Sequence, residues 1–158
     1  MIIQDISQAK YGDIILFEPT SVIGRVQVVI DNLSQPRKFN FSHGAIFLER
    51  VGDSCLMVES VNRGGVRIAP LQEWKNYTIV RPEGFGIIMP KKRLISKIYS
   101  DYDFNKIGRI FMSRIFNYPL TVDDDRKLIC TELVNFAYRY KITKKGQCTP
   151  VTLANAIL

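Results

Sequence analysis

Between residues 42 and 80 the chain strings together four short apolar runs, at 42–48, 55–61, 66–68 and 77–80. Runs of this length, bounded by turn residues, read as strands. Gly52-Asp53 separates the first two and has the chemistry of a tight hairpin turn, and Gly64-Gly65 leads into the third. An earlier run, Ile14-Ile15-Leu16-Phe17, follows Gly12-Asp13 and reads as another buried strand. Residues 21–33 differ: apolar side chains at 22, 23, 26, 29, 30 and 33 have helical spacing. A loop over 34–40, with Pro36 and basic Arg37-Lys38, interrupts that pattern. The second half turns helical, with segments predicted at 91–100 after Pro90, at 104–116 and at 125–140. A last helix is predicted to 158, with Thr149 as N-cap and Pro150 in its first turn. Strands gathered ahead of helices predict an α+β fold, a small and mainly antiparallel sheet packed on helices.

A length of 158 residues suits one domain spanning 1–158, with enough core to bury roughly 70% of the unfolded chain's surface. Hydrophobic residues make up 46% and charged residues 23%, which excludes a disordered or fibrous chain. The N-terminus lacks the pattern of a signal peptide and no apolar run approaches a membrane span, so a cytoplasmic, reducing setting is expected. Cys55, Cys130 and Cys148 form no C-x-x-C pair, which argues against a zinc ribbon or a dithiol redox motif.

His43 is the single histidine, so any mechanism that pairs a nucleophile with an imidazole runs through it. It opens a predicted strand beside Gly44, a residue that leaves room for close approach. If that strand pairs with the next through Gly52-Asp53, Glu59 comes near the same sheet edge. There it could accept a hydrogen bond from the imidazole and fix its tautomer. The alternative is a strand-end carboxylate facing water. For Cys130 two placements are compatible with the residues. At a helix N-terminus its thiolate would be favoured by the backbone N–H groups and the helix dipole, which also suit an oxyanion. With Asp125 as N-cap it would fall in the second turn, aligned with Val134 and Ala137, as an inert core thiol. Cys55 and Cys148 have no comparable setting and read as structural.

Taken in order, Tyr11-Gly12-Asp13-Ile14-Ile15, Ser42-His43-Gly44, Val58-Glu59-Ser60 and Cys130-Thr131-Glu132-Leu133-Val134 resemble the circularly permuted NlpC-type papain-like cysteine hydrolases. This is the YiiX-like group, related to the lecithin:retinol acyltransferase fold. Thr149-Pro150 through Leu153-Ala154 resembles that group's closing helix, so the likeness spans about residues 8–157. The resemblance implies Cys130 as nucleophile, His43 as general base and acid, Glu59 as the residue orienting it, and a helix beginning at Cys130. It implies no metal and no organic cofactor. The expected substrate carries a peptide or other amide bond, with acyl esters, thioesters and lipids as the second class. Members that cut cell-wall peptides generally work outside the cytoplasm, which counts against that substrate for a chain expected to remain inside.

The formal net charge is +7, which favours acidic partners. Seven basic residues against two acidic ones over 85–120 make the 104–116 segment a basic amphipathic helix. That pattern is compatible with contact with an anionic membrane surface, but more often marks a core-facing helix with a solvated basic side. A non-catalytic basic module docking on membrane or nucleic acid is the rival class. The absence of a nucleic-acid-binding motif and the dispersal of basic residues among apolar ones argue against nucleic acid. Asp123-Asp124-Asp125 lacks the ligand alternation of a calcium loop and reads as solvated. Phe39, Phe41 and Tyr118 are candidates for lining a substrate groove. The pattern does not specify an oligomeric state.

Overall fold

The computed structural model describes residues 1–33, 35–85, 88–101, 128–139, 141–143 and 148–158. The expected segments at 104–116 and 123–125, and Tyr118, lie outside the described residues. The strands are β1 (Ile2–Ile3), β2 (Ile14–Phe17), β3 (His43–Val51), β4 (Ser54–Val61), β5 (Gly65–Pro70) and β6 (Tyr77–Val80). The α-helices among the described residues are α1 (Val22–Asn32), α2 (Lys91–Ile95), α3 (Cys130–Ala137) and α4 (Pro150–Ile157). The six strands form one antiparallel sheet in the order β1-β6-β2-β3-β4-β5, so the fold is mixed α+β.

The centre of the sheet explains why its sequence does not alternate. Ile14, Ile15, Leu16 and Phe17 are each 0% exposed, because β2 is covered on both faces. Ile14 and Leu16 join Ile46, Leu48, Val58 and Val80 in a cluster with Leu133, Val134 and Leu153 of α3 and α4. Ile15 and Phe17 turn the other way, toward Ala45, Phe47, Met57 and Leu71, with Ile6 and Trp74 packed against them. Among the described residues the second face is closed by short turns rather than helices. Asp13, ahead of β2, is buried and receives two hydrogen bonds from Arg81, at 2.9 and 2.7 Å. Its carbonyl accepts from the N–H of Phe47 at 2.8 Å, which anchors β3 beside β2.

Gly52-Asp53 makes the expected β3–β4 hairpin, with Val51 opposite Ser54 and Gly52 at φ 58°. The end strand β1 had no signal of its own, since two residues make no period; it pairs Ile2 with Val80 and Ile3 with Ile79. Two helices are shorter than predicted. α2 stops at Ile95, where Ser96 to Ser100 form turns whose backbone bonds to β5: Val66 donates to the Ser100 carbonyl and Tyr99 donates to that of Val66. α3 begins at Cys130, the start that the resemblance implies, rather than at Asp125: Ile129 before it is extended and Leu128 is tied to other segments. The Leu128 N–H donates to the Asp101 carbonyl, and its carbonyl accepts from the Ser60 hydroxyl at 2.6 Å. The helix ends where Arg139 takes φ 55°. Thr149 caps α4 and Pro150 is its first residue. Among the described residues no helix is long and apolar enough to cross a membrane.

Gly65 is the tightest point of this frame. It has φ +63°, and a Cβ there would stand 2.0 Å from the Ser100 carbonyl oxygen. Gly52 shares the positive φ but faces open space. Gly65→Ala is expected to cost on the order of 3 kcal/mol or more, through strain and a displaced 96–100 segment, against about 1 kcal/mol for Gly52→Ala. Urea unfolding of the two variants checks the difference.

Candidate functional site

Register is what brings the two strand-borne residues together. β3 pairs with β4 so that Ala45 stands opposite Glu59. His43, two residues before Ala45, lies on the same face and within diagonal reach of Glu59. Its Nε2 is 2.8 Å from Glu59 Oε2. The Glu59 side chain is wholly buried, so the alternative of a solvated strand-end carboxylate does not apply. Glu59 is in turn opposite Arg67 of β5, whose Nε and Nη2 donate to Oε1 at 2.9 and 2.7 Å. One carboxylate oxygen therefore serves the imidazole and the other a guanidinium.

Cys130 arrives from the helix layer. Ser60, next to Glu59, ties down Leu128, and the extended Ile129 then delivers Cys130 as the first residue of α3. Ile129 has no side-chain acceptor for the first-turn N–H groups, while the Glu132 carboxylate accepts from the Ile129 N–H at 3.4 Å. Gly44 faces this helix, and a Cβ there would come within 3.4 Å of the Thr131 methyl. The space beside His43 is thus what α3 fills. Cys130 is 5% exposed and lies near enough to the His43 ring to influence its charge. With Nε2 engaged by Glu59, Nδ1 is the ring nitrogen left for Cys130.

The electrostatics follow from these neighbours. Burial works against a charged imidazole, but the neighbouring Cys130, followed by the hydrogen bond and charge of Glu59, outweighs it and raises the His43 pKa to about 9. Burial would raise the Glu59 pKa, yet hydrogen bonds and charges from His43 and then Arg67 hold it below its ordinary value. Cys148 lies beyond the same helix end, where its thiol donates to the Thr131 carbonyl at 3.2 Å. Burial pushes its pKa up to about 12. Cys55 is 2% exposed in the sheet's second face.

Two further residues belong to the site. Trp74 stacks on the His43 ring, with centroids 4.9 Å apart and planes at 13°, and Phe17 approaches the same ring at 5.4 Å. Together they fix the imidazole's plane, as Glu59 fixes its edge. Arg67 was findable: a hairpin through Gly64 sets it across from Glu59. Trp74 follows a 3₁₀ turn and had no such signal. Phe41 is buried in the helix-side core, and the half-buried Phe39 packs against it. Among the described residues no group of three or more His, Cys, Asp or Glu side chains could hold a metal ion. The chain matches no protein-family model and no curated protein.

Because His43 is the only histidine, its imidazole proton resonances give an unambiguous titration. The wild type is expected to titrate near pH 9, with Cys130→Ala lowering the midpoint most and Glu59→Gln less, in the order of their influence. Stability follows by linkage. The His43 contribution is fully present below about pH 6.5, the free imidazole value, and is lost as pH rises through about 9. The Glu59 contribution is present above its ordinary value of 4.5 and is lost on acidification. Urea midpoints measured from pH 4 to 10 should therefore fall on the alkaline side in the wild type and flatten in Glu59→Gln.

Proposed function

We propose that the protein is a cysteine hydrolase of the permuted papain-like kind, with Cys130 as nucleophile, His43 as general base and acid, and Glu59 orienting the imidazole. The observation that carries this reading is the ordered contact of Glu59 with His43 Nε2 while Cys130, first residue of a helix, meets the same ring. An activated nucleophile needs a base in reach and a third group to hold that base, and these three residues supply the set. The order His43, Glu59, Cys130 along the chain, and the resemblance drawn from it, support the permuted arrangement.

In this mechanism the Cys130 thiolate attacks the carbonyl carbon of an amide substrate, and the carbonyl electrons move onto oxygen. The N–H groups of the α3 first turn face that oxyanion. As the intermediate collapses, the C–N bond breaks and imidazolium His43 gives its proton to the departing nitrogen. The acyl group is left as a thioester on Cys130. Neutral His43 then takes a proton from water, which adds to the thioester carbon. Cleavage of the C–S bond releases a carboxylic acid and restores the thiolate–imidazolium pair. Glu59 stabilises each imidazolium stage without changing its own protonation. An ester or thioester follows the same path with an oxygen or sulfur leaving group.

Iodoacetamide labelling at pH 7, read by mass spectrometry, is expected to modify Cys130 well ahead of Cys148, whose thiol is held protonated. The preference should vanish in His43→Ala. On activated amides, esters and thioesters, Cys130→Ala and His43→Ala should each lose activity by at least about 10³-fold, and Glu59→Gln by about 10²–10⁴-fold. A Cys130 that labels only after denaturation would overturn the reading.

A further inference from the structure

Helix α1 is built the wrong way round for a helix that merely covers a core. Its apolar residues were legible as a helical stripe, and such a stripe ordinarily faces inward. Here Val22, Ile23, Val26, Val29 and Leu33 are 75%, 77%, 49%, 62% and 70% exposed. At 100° per residue, Val22, Val26, Val29 and Leu33 form one line along the outer side, with Ile23 on its flank. The inner side is made of Gly24, Val28 and Asp31. Val28 and Asp31 are 6% and 2% exposed, and a Cβ on Gly24 would meet Pro19 at 3.2 Å and Ser42 at 3.4 Å. The contact that holds the helix thus uses its small and polar side, and the larger apolar side is left outward.

The charge around the stripe says what it meets. From residue 18 to 42 the basic side chains are Arg25, Arg37 and Lys38, all exposed, against the exposed Glu18 ahead of the helix and the buried Asp31. Arg25 borders the stripe on the helix itself. Lys38 donates to the carbonyls of Asn32 and Gln35, which places its charge at the helix C-terminus. Backbone and side-chain bonds between Arg37 and Asn155 tie the loop to α4. An apolar strip whose neighbouring charges are mainly positive complements a surface with an apolar interior and anionic headgroups. A second copy fits less well, since pairing the strip with itself would bring six positive charges together against only the two carboxylates of Glu18.

We propose that α1 docks the protein on membranes rich in anionic lipid. The outer apolar line enters the headgroup–acyl boundary, and Arg25, Arg37 and Lys38 contact the phosphates. This is a different segment from the basic stretch at 104–116. It is independent of the chemistry at Cys130, but it bears on where that chemistry happens: Gly24 packs on Ser42, the residue before His43, so docking brings the bilayer alongside that end of the sheet.

Flotation of the full chain with phosphatidylcholine vesicles, with and without phosphatidylserine, tests this. Binding is expected only with phosphatidylserine and should weaken as salt is raised. Val26→Glu/Val29→Glu and Arg25→Glu/Arg37→Glu should each reduce partitioning by at least about tenfold. All four positions are exposed, so circular dichroism and thermal midpoints should match the wild type. No binding above phosphatidylcholine alone would overturn the proposal, and so would undiminished binding by the folded Val26→Glu/Val29→Glu variant. A concentration-dependent dimer that this variant abolishes, without lipid binding, would assign the strip to a second copy instead.

Discussion

The buried carboxylate of Glu59 is the charge around which the site is organised. An unpaired carboxylate with no exposed side-chain surface would carry a prohibitive desolvation cost, so its survival in ionised form depends on partners. Arg67 and His43 provide them from either side, one on each oxygen. Arg67 itself is 42% exposed and also reaches Glu73 at 3.5 Å, so the guanidinium links the buried carboxylate to solvent-facing charge. His43 is kept protonated against burial by Cys130 first and by Glu59 second. The imidazolium in turn is what Cys130 faces. Each group's charge state rests on the next, and the chain of dependence starts at the carboxylate that cannot reach water.

That arrangement needs two layers to meet at one sheet end. Glu59, Arg67 and Trp74 belong to the face closed by short turns, whereas α3 lies on the face covered by helices. His43 is the first residue of β3, and this terminal position lets one side chain address both sides. The link on the helix side is Ser60, which follows Glu59 and bonds to Leu128 at 2.6 Å. Two consecutive residues of β4 therefore act on opposite faces, one orienting the imidazole and the other setting where α3 begins.

α1 shows how a correct secondary-structure reading can leave the functional meaning undecided. The spacing at 22, 23, 26, 29, 30 and 33 indicates a helix in any environment. It does not say whether the stripe is turned toward a core or away from one. The inner contact through Gly24, Val28 and Asp31 decides that, and those residues carry no periodic apolar signal.

Local chemistry accounts for what could be read from the chain alone. The hairpin at Gly52-Asp53, the β2 and β6 spans, the cap at Thr149-Pro150 and the α+β class all follow from interactions within a few residues. His43 and Glu59 stood out because a hairpin of known turn implies its own register. The start of α3 did not follow from local preference: residues 125–129 fit a helix by pattern, and long-range bonds with Asp101 and Ser60 hold Leu128 ahead of the helix instead. Trp74 on the imidazole and the outward stripe of α1 were likewise settled by packing between segments distant in sequence. Short-range periodicity and turn chemistry are encoded residue by residue, whereas burial, charge state and facing depend on which surfaces the folded chain presses together.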